Sequence, residues 1–599
     1  MSEQPFQEAS KTQPEQVLED ELVAHLTGMG YAKADVNDEV SMLANLKAQL
    51  EAFNNVTLTA GEFTQVRHHL TKSSNVFEKA KILRDRMKLN RGDGTTTYLE
   101  FFDSTNPQRN RWQVTQQVSV EGQYQNRYDV ALIANGLPLV QIELKRRGLE
   151  MKEAFNQIQR YQKHSYWSGA GLYHFVQFFV ISNGVNTKYY ANARKQSFKQ
   201  TFYWASEDNK TIRELPAFTT AFLNRGHLGA MIGKYMVLNG TEKILMVLRP
   251  YQYYAVERMV ERVLNPPATN ANGYIWHTTG SGKTLTSFKA AQILTGLPSV
   301  YKVVFVVDRK DLDYKTIQDF NDYSKGSVDG TNNTQKLVQQ FTDGTKLIVT
   351  TLQKLNTAIS KAQHLAQMEA LRDERIIFIF DECHRSQFGD THKRITAFFR
   401  NHQIFGFTGT PIFAENAAPA KGGQRKKVEL TFSGRMEEAP TSSSTVRELA
   451  GGIKRTTKDL FHHRLHNYVI TDAIKDENVL KFAVEYVGRY QKKPGSATEV
   501  DIEVEGIDTK ELMESPQRLE KITDYIIAHH PVKTRNKEFT AMMCVCSVDV
   551  LIKYYELFAK RKAEGKHKLR VATIFSYTSN GGGPGRRRHP GRRRRNHRR

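Results

Sequence analysis

Five short apolar runs recur between polar and helical stretches in the middle of the chain: GYIWH (273–277), VVFVVD (303–308), KLIVTT (346–351), IIFIFD (376–381) and IFGFTG (404–409). Strands this continuously apolar are buried on both faces, and their alternation with helical segments predicts a parallel sheet covered by helices on each side. At 599 residues the chain also exceeds what one hydrophobic core can serve, about 250–300 residues, so roughly three domains are expected.

The first of these runs leads into TTGSGKT. Thr279, Gly280, Ser281, Gly282, Lys283 and Thr284 follow a strand and open a helix, the context of a phosphate-binding loop. Glycines let backbone N–H groups approach phosphate, Lys283 reaches the β- and γ-phosphates, and the Thr284 hydroxyl faces Mg²⁺. His277 stands where the usual pattern has its first glycine. IIFIFDECH then puts two carboxylates at a strand end, Asp381 for Mg²⁺ and Glu382 to polarise the attacking water, and FGFTGTP contributes Thr408 and Thr410. With GSGKT, DECH and TGTP in this order the sequence resembles superfamily 2 helicases and translocases. The resemblance implies ATP as the nucleotide, nucleic-acid contacts from VVFVVDRKDLDY and IVTTLQKL, and an adenine-reading role for Gln252 in RPYQ.

A second constellation lies upstream in NRYDVALIANGLPLVQIELKRRG. Its NG dipeptide between two apolar runs predicts a tight hairpin. Asp129 falls on one strand, and Glu143 and Lys145 on its partner, two residues apart and therefore on one face. Burying a Glu–Lys pair at the end of a hydrophobic run is costly unless function requires it, and such a set can bind Mg²⁺ and activate water against a phosphodiester. This D…ExK pattern resembles the PD-(D/E)xK nuclease fold, with Tyr128 in place of the proline.

Gln157 and Tyr161 in EAFNQIQRY share a helix face. Following ELK, this QxxxY pair is similar to that of the R subunits of type I restriction–modification enzymes. LEDELV, NGLPLVQIELKRRG, FVISNGV, RPYQ, FVVDRKDLDY, FDECHRSQFG and FGFTGTPIF look like the same family. The resemblance implies an α/β chain: a PD-(D/E)xK nuclease domain (1–235), a RecA-like superfamily 2 helicase lobe ending in a linker (236–458) and a partial second lobe (459–580) that includes YVITDAIKDENVLKF. It also implies Glu19 as an amino-terminal metal ligand beside Asp129 and Glu143, double-stranded DNA as substrate, and methyltransferase and specificity subunits as partners. No QxxGRxxR arginine motif of a complete second lobe occurs, so ATP turnover by this length of chain is expected to be poor.

Composition adds bounds. The amino-terminal stretch lacks a signal-peptide pattern, no run of about 18 apolar residues could span a bilayer, and three cysteines form neither a disulfide framework nor a zinc motif; a cytoplasmic protein is expected. The net charge of +23 suits a polyanionic partner. Nine of those charges are arginines in the last nineteen residues, leaving about +14 without them. This tail (581–599) reads either as a disordered nucleic-acid-binding arm or as the product of a reading-frame slip. A standalone superfamily 2 motor, and a catalytically idle DNA-binding chain, stay open as alternatives.

Overall fold

The computed structural model describes residues 14–73, 75–121, 125–164, 171–193, 196–307, 310–323, 333–383, 388–413, 456–485, 514–545 and 547–574. They fall into two compact units, 1–483 and 484–599. Of the expected linker from Ala414 to about Lys458, residues 414–455 lie outside the described residues, as does the arginine-rich tail, while Thr457 opens a short helix (Thr457–Phe461).

The first unit opens with helix α1 (Glu15–Gly28) and a six-stranded sheet whose strands neighbour one another in chain order: β1 (Ala32–Lys33), β2 (Trp112–Glu121), β3 (Gln125–Ala134), β4 (Leu137–Leu144), β5 (Phe178–Ser182) and β6 (Thr187–Ala191). The NG hairpin joins β3 and β4 as expected. Asn135 and Gly136 both have positive φ, 52° and 86°, which a two-residue turn of this hand requires. A Cβ on Gly136 would also lie 2.6 Å from Leu46 Cα. Helix α2 (Met151–His164) carries the chain across to β5, which runs parallel to β4. Its buried Ala154, Phe155, Ile158 and Tyr161 recur at helical spacing and form the face laid on the sheet.

The second sheet is wholly parallel. Its strands β7 (Gly273–His277), β8 (Lys302–Val307), β9 (Leu347–Thr351), β10 (Ile376–Phe380), β11 (His402–Thr408) and β12 (His463–Tyr468) lie in the order β9-β8-β10-β11-β7-β12. Alternation along β8 separates two cores: Val303, Phe305 and Val307 face one, Val304 and Val306 the other. Helices α3 (Pro250–Leu264) and α4 (Lys283–Thr295) cover the first face. The hydrophobic cluster on that face continues without a break from Leu18 to Phe407, so both sheets share one core.

Two features of the carboxy-terminal part could not be foreseen from its sequence pattern. The segment expected to open a second lobe supplies β12, which pairs in parallel with β7 and completes the second sheet. AMMCVCSV (541–548) and RVATIFSY (570–577) are apolar enough for strands, yet their described residues form none, and the described residues of the second unit hold the helices α5 (Pro516–Lys533) and α6 (Val548–Ala563). Met542 and Ile574 are 89% and 94% exposed. An apolar run becomes a buried strand only where neighbouring strands satisfy its backbone, and none is present among these residues. Leu519, Val550 and Tyr554 pack α5 on α6, and Arg561 grips Asp524 with two hydrogen bonds of 2.7 and 3.0 Å. Among the described residues no helix is long and apolar enough to cross a membrane.

Candidate functional site

On the first sheet the hairpin brings Asp129, Glu143 and Lys145 together. Pairing of β3 with β4 places Val130 opposite Ile142, so Asp129 and Glu143 come abreast at the next step. Asp129 Oδ2 accepts from Leu144 N at 2.8 Å, tying the aspartate to the backbone between the other two residues. Lys145 Nζ lies 3.4 Å from Glu143 Oε1 and donates to Leu144 O at 2.7 Å and to Glu15 Oε1 at 2.6 Å.

Glu143 is fully buried, and its Oε2 receives no hydrogen bond among the described residues. Burial, reinforced by the Asp129 charge, holds its carboxyl well above the usual range; burial likewise raises Asp129 against the opposing hydrogen bond from Leu144 N. Burial alone would push the Lys145 ammonium down, but the carboxylates of Glu143, Glu15 and Asp129 outweigh it and hold it above its ordinary value. An uncompensated buried acceptor beside a second buried carboxylate fits a divalent cation.

Glu19, on α1, is placed beside this pair. Its Oε2 accepts from Gln117 Nε2, and burial pushes its carboxyl up to about 7, with Asp129 contributing in the same direction. Among the described residues no three His, Cys, Asp or Glu side chains gather closely enough to hold one ion, so Glu19 borders the Asp129–Glu143 pair. Gln157 Nε2 donates to Tyr161 Oη at 2.6 Å, and Tyr161 Oη donates to Arg127 O at 3.0 Å. The QxxxY pair therefore fastens α2 to the strand that carries Asp129. Tyr128, the proline replacement, is buried with ring centroids 4.9 Å from Tyr161 and 4.4 Å from Tyr173.

The second sheet carries the phosphate loop. Gly280 and Gly282 adopt φ of 84° and 77°, and Gly282 leads directly into α4, whose first residues are Lys283 and Thr284. Ser281 Oγ donates to Thr278 O at 2.7 Å within the loop. Lys283 Nζ lies 3.5 Å from Glu382 Oε1, joining the loop to the DECH segment. Asp381 directly follows β10, its Oδ1 accepting from Glu382 N at 3.0 Å, and Glu382 has a left-handed φ of 48°. Thr410 N donates to Thr408 Oγ1 at 3.1 Å, and between them a Cβ on Gly409 would lie 3.3 Å from Thr279 N.

Gln252, expected to read adenine, lies behind the loop. Its Oε1 accepts from Arg249 N at 3.0 Å, and its Nε2 donates to the Ser281 and Gly282 carbonyls at 3.2 and 3.4 Å. Both ends of the amide thus engage backbone, bracing the loop from behind. His277, at the missing-glycine position, is a fully buried strand residue whose Nε2 lies 3.0 Å from His466 Nδ1. No positive φ is needed there, so a side chain is tolerated.

Sequence reasoning missed Glu15, Tyr251 and Tyr468. Tyr251 stacks on Tyr468 with centroids 3.6 Å apart and donates to Ser281 O at 2.8 Å. Glu15 had a readable signal, since it precedes Glu19 by one helical turn and shares its face; the tyrosine stack had none.

Residues 12–198 match the family described as type I restriction enzyme R protein N terminus, 251–437 and 445–518 the SWI2/SNF2 ATPase, and 537–597 type I restriction enzyme subunit R domain 3. Over 575 residues the chain is 43% identical to the type I restriction enzyme SsaAORF53P endonuclease subunit of Staphylococcus saprophyticus, covering 95% of this chain and 57% of that relative. Over the same length it is 42% identical to the type I restriction enzyme SauMSSORF170P endonuclease subunit of Staphylococcus aureus, again covering 95% of this chain and 57% of the relative. It is 40% identical over 259 residues to the type I restriction enzyme EcoprrI endonuclease subunit of Escherichia coli, covering 42% of this chain and 82% of the relative. The chain spans little more than half the length of the staphylococcal relatives, yet its identity to them extends through both sheets. It belongs to the endonuclease, or R, subunit family of type I restriction enzymes.

Proposed function

We propose that this chain carries the cutting and first motor elements of an R subunit that moves double-stranded DNA with ATP and cleaves it with Mg²⁺, working in the cytoplasm with methyltransferase and specificity subunits. The observation that carries the reading is the convergence of Asp129, Glu143 and Lys145 at one strand end, with a buried Glu143 oxygen that no protein donor among the described residues satisfies. Asp129 and Glu143 would hold Mg²⁺, which when bound supplies charge neutralisation and a more acidic water. Lys145 orients the scissile phosphate and stabilises the charge that develops on it. Gln157 and Tyr161 are positioning residues acting through the strand of Asp129.

At the second site the backbone from Thr279 to Gly282 cradles phosphates, Lys283 reaches the transferring group, Thr284 and Asp381 would share Mg²⁺, and Glu382 orients water. Thr408 and Thr410, whose turn abuts Thr279, would relay the nucleotide state to the DNA-facing loops. In the assembled complex, Lys145→Ala should abolish cleavage while ATP turnover persists, and Lys283→Ala should abolish both. Cleavage by the Lys145→Ala complex at the wild-type rate would sink the nuclease assignment.

A further inference from the structure

A lysine ammonium has three N–H groups. Those of Lys145 are matched among the described residues by three acceptors: Leu144 O at 2.7 Å, Glu15 Oε1 at 2.6 Å and Glu143 Oε1 at 3.4 Å. No donor is left for a phosphate. Two of the acceptors belong to the strand that carries the lysine, and Glu143 is fully buried. Glu15 is the exception. Its side chain is 40% exposed, it comes from the first turn of α1, and it makes the shortest of the three contacts. Of the three acceptors it is the one whose side chain reaches solvent, the side from which a polymer such as duplex DNA would come.

We propose that Glu15 is a resident stand-in for the scissile phosphate, an anionic gate that occupies Lys145 until DNA displaces it. The inference rests on the nuclease reading of the Asp129–Glu143–Lys145 cluster. An exposed carboxylate suits this role because its ion pair with a lysine is weak enough to exchange for a phosphate, whereas a buried partner would not let go. The first turn of α1 has the freedom to yield: its N-cap is Pro14, with no side-chain capping bond to hold it. Glu19, one turn further along, is buried against Gln117 and anchors the helix while that turn moves. Displacement carries Glu15 into water and leaves Lys145 facing a phosphate oxygen in its place.

The test uses the full chain and does not depend on cleavage. Brief acetylation with acetic anhydride, read by mass spectrometry, should label Lys145 about fivefold faster in Glu15→Gln than in wild type, the scale of one part-exposed ion pair. Glu15→Asp, which keeps the charge, should fall between them. An unchanged labelling rate in Glu15→Gln overturns the gate. In the assembled complex the same variant should cleave faster at limiting DNA, and slower cleavage would overturn the gate by making Glu15 a required participant. Wild-type cleavage by Lys145→Ala would instead overturn the nuclease reading and leave the labelling comparison standing.

Discussion

Three carboxylates, Glu15, Asp129 and Glu143, act on the ammonium of Lys145, and Glu19 borders them, so negative charge is in excess and sets how the first site responds to pH. Glu19 titrates near 7 in the folded chain against 4.5 as its ordinary value, so the native state holds its proton more tightly than the unfolded state does. The sign follows: stability is undiminished below 4.5 and falls as pH rises through 7. Glu19→Gln, which cannot ionise, should melt ~3 °C higher than wild type at pH 8 and at the wild-type temperature at pH 4.5. Calorimetry at the two pH values checks this; an equal shift at both would mean that packing, and not charge, is responsible. The D…ExK residues were legible because a two-residue turn and a period of two determine their meeting. Glu15 could be placed on the helix face of Glu19, but its meeting with Lys145, like that of Gln117 with Glu19, could not be read, since these pairs span 130 and 98 residues of chain, a distance that only the packing of α1 on the sheet closes.

At the scale of elements, the phosphate loop is a strand-to-helix turn held from behind by α3. A Cβ on Gly282 would lie 2.7 Å from Gln252 Nε2 and would have to adopt a left-handed φ of 77°. Gly282→Ala should therefore weaken nucleotide binding by about tenfold or more, measured with a fluorescent ATP analogue. Gln252→Ala separates two roles for the glutamine. Loss of a brace should weaken ATP and GTP binding alike, by about tenfold for one to two hydrogen bonds, whereas loss of an adenine reader would weaken ATP alone. The loop and the five apolar strands of its sheet could be read from sequence, because strands buried on both faces leave a continuous apolar signature. The sixth strand could not. HRLHNY is largely polar, with His463 and Arg464 exposed at the sheet edge, and only its pairing with β7 identifies it. The opposite case is AMMCVCSV and RVATIFSY, apolar enough for strands but without strand neighbours among the described residues.

At the scale of the whole first unit, the two six-stranded sheets are not separate globules. Tyr189 of β6 donates to Leu248 O at 2.9 Å just ahead of α3, Lys289 of the phosphate-loop helix donates to Met236 O at 2.8 Å, and the hydrophobic cluster runs through both. Phe222, fully buried with its ring against Tyr189 and Trp204, sits in that shared region. Phe222→Ala should cost about 3–5 kcal/mol and lower one common melting transition, the same one that added nucleotide raises. Two transitions in calorimetry of the full chain, only one of them shifted by the substitution and the other by nucleotide, would contradict a shared core. Neither apolar periodicity nor motif spacing announced this fusion, because contacts between distant faces leave no local pattern. On the proposed function its consequence is mechanical. A cutter welded to the motor's first lobe cannot trail behind on a slack tether, so the offset between the lobe's grip on the duplex and the severed bond is a fixed length, like the gap between a carriage and its blade.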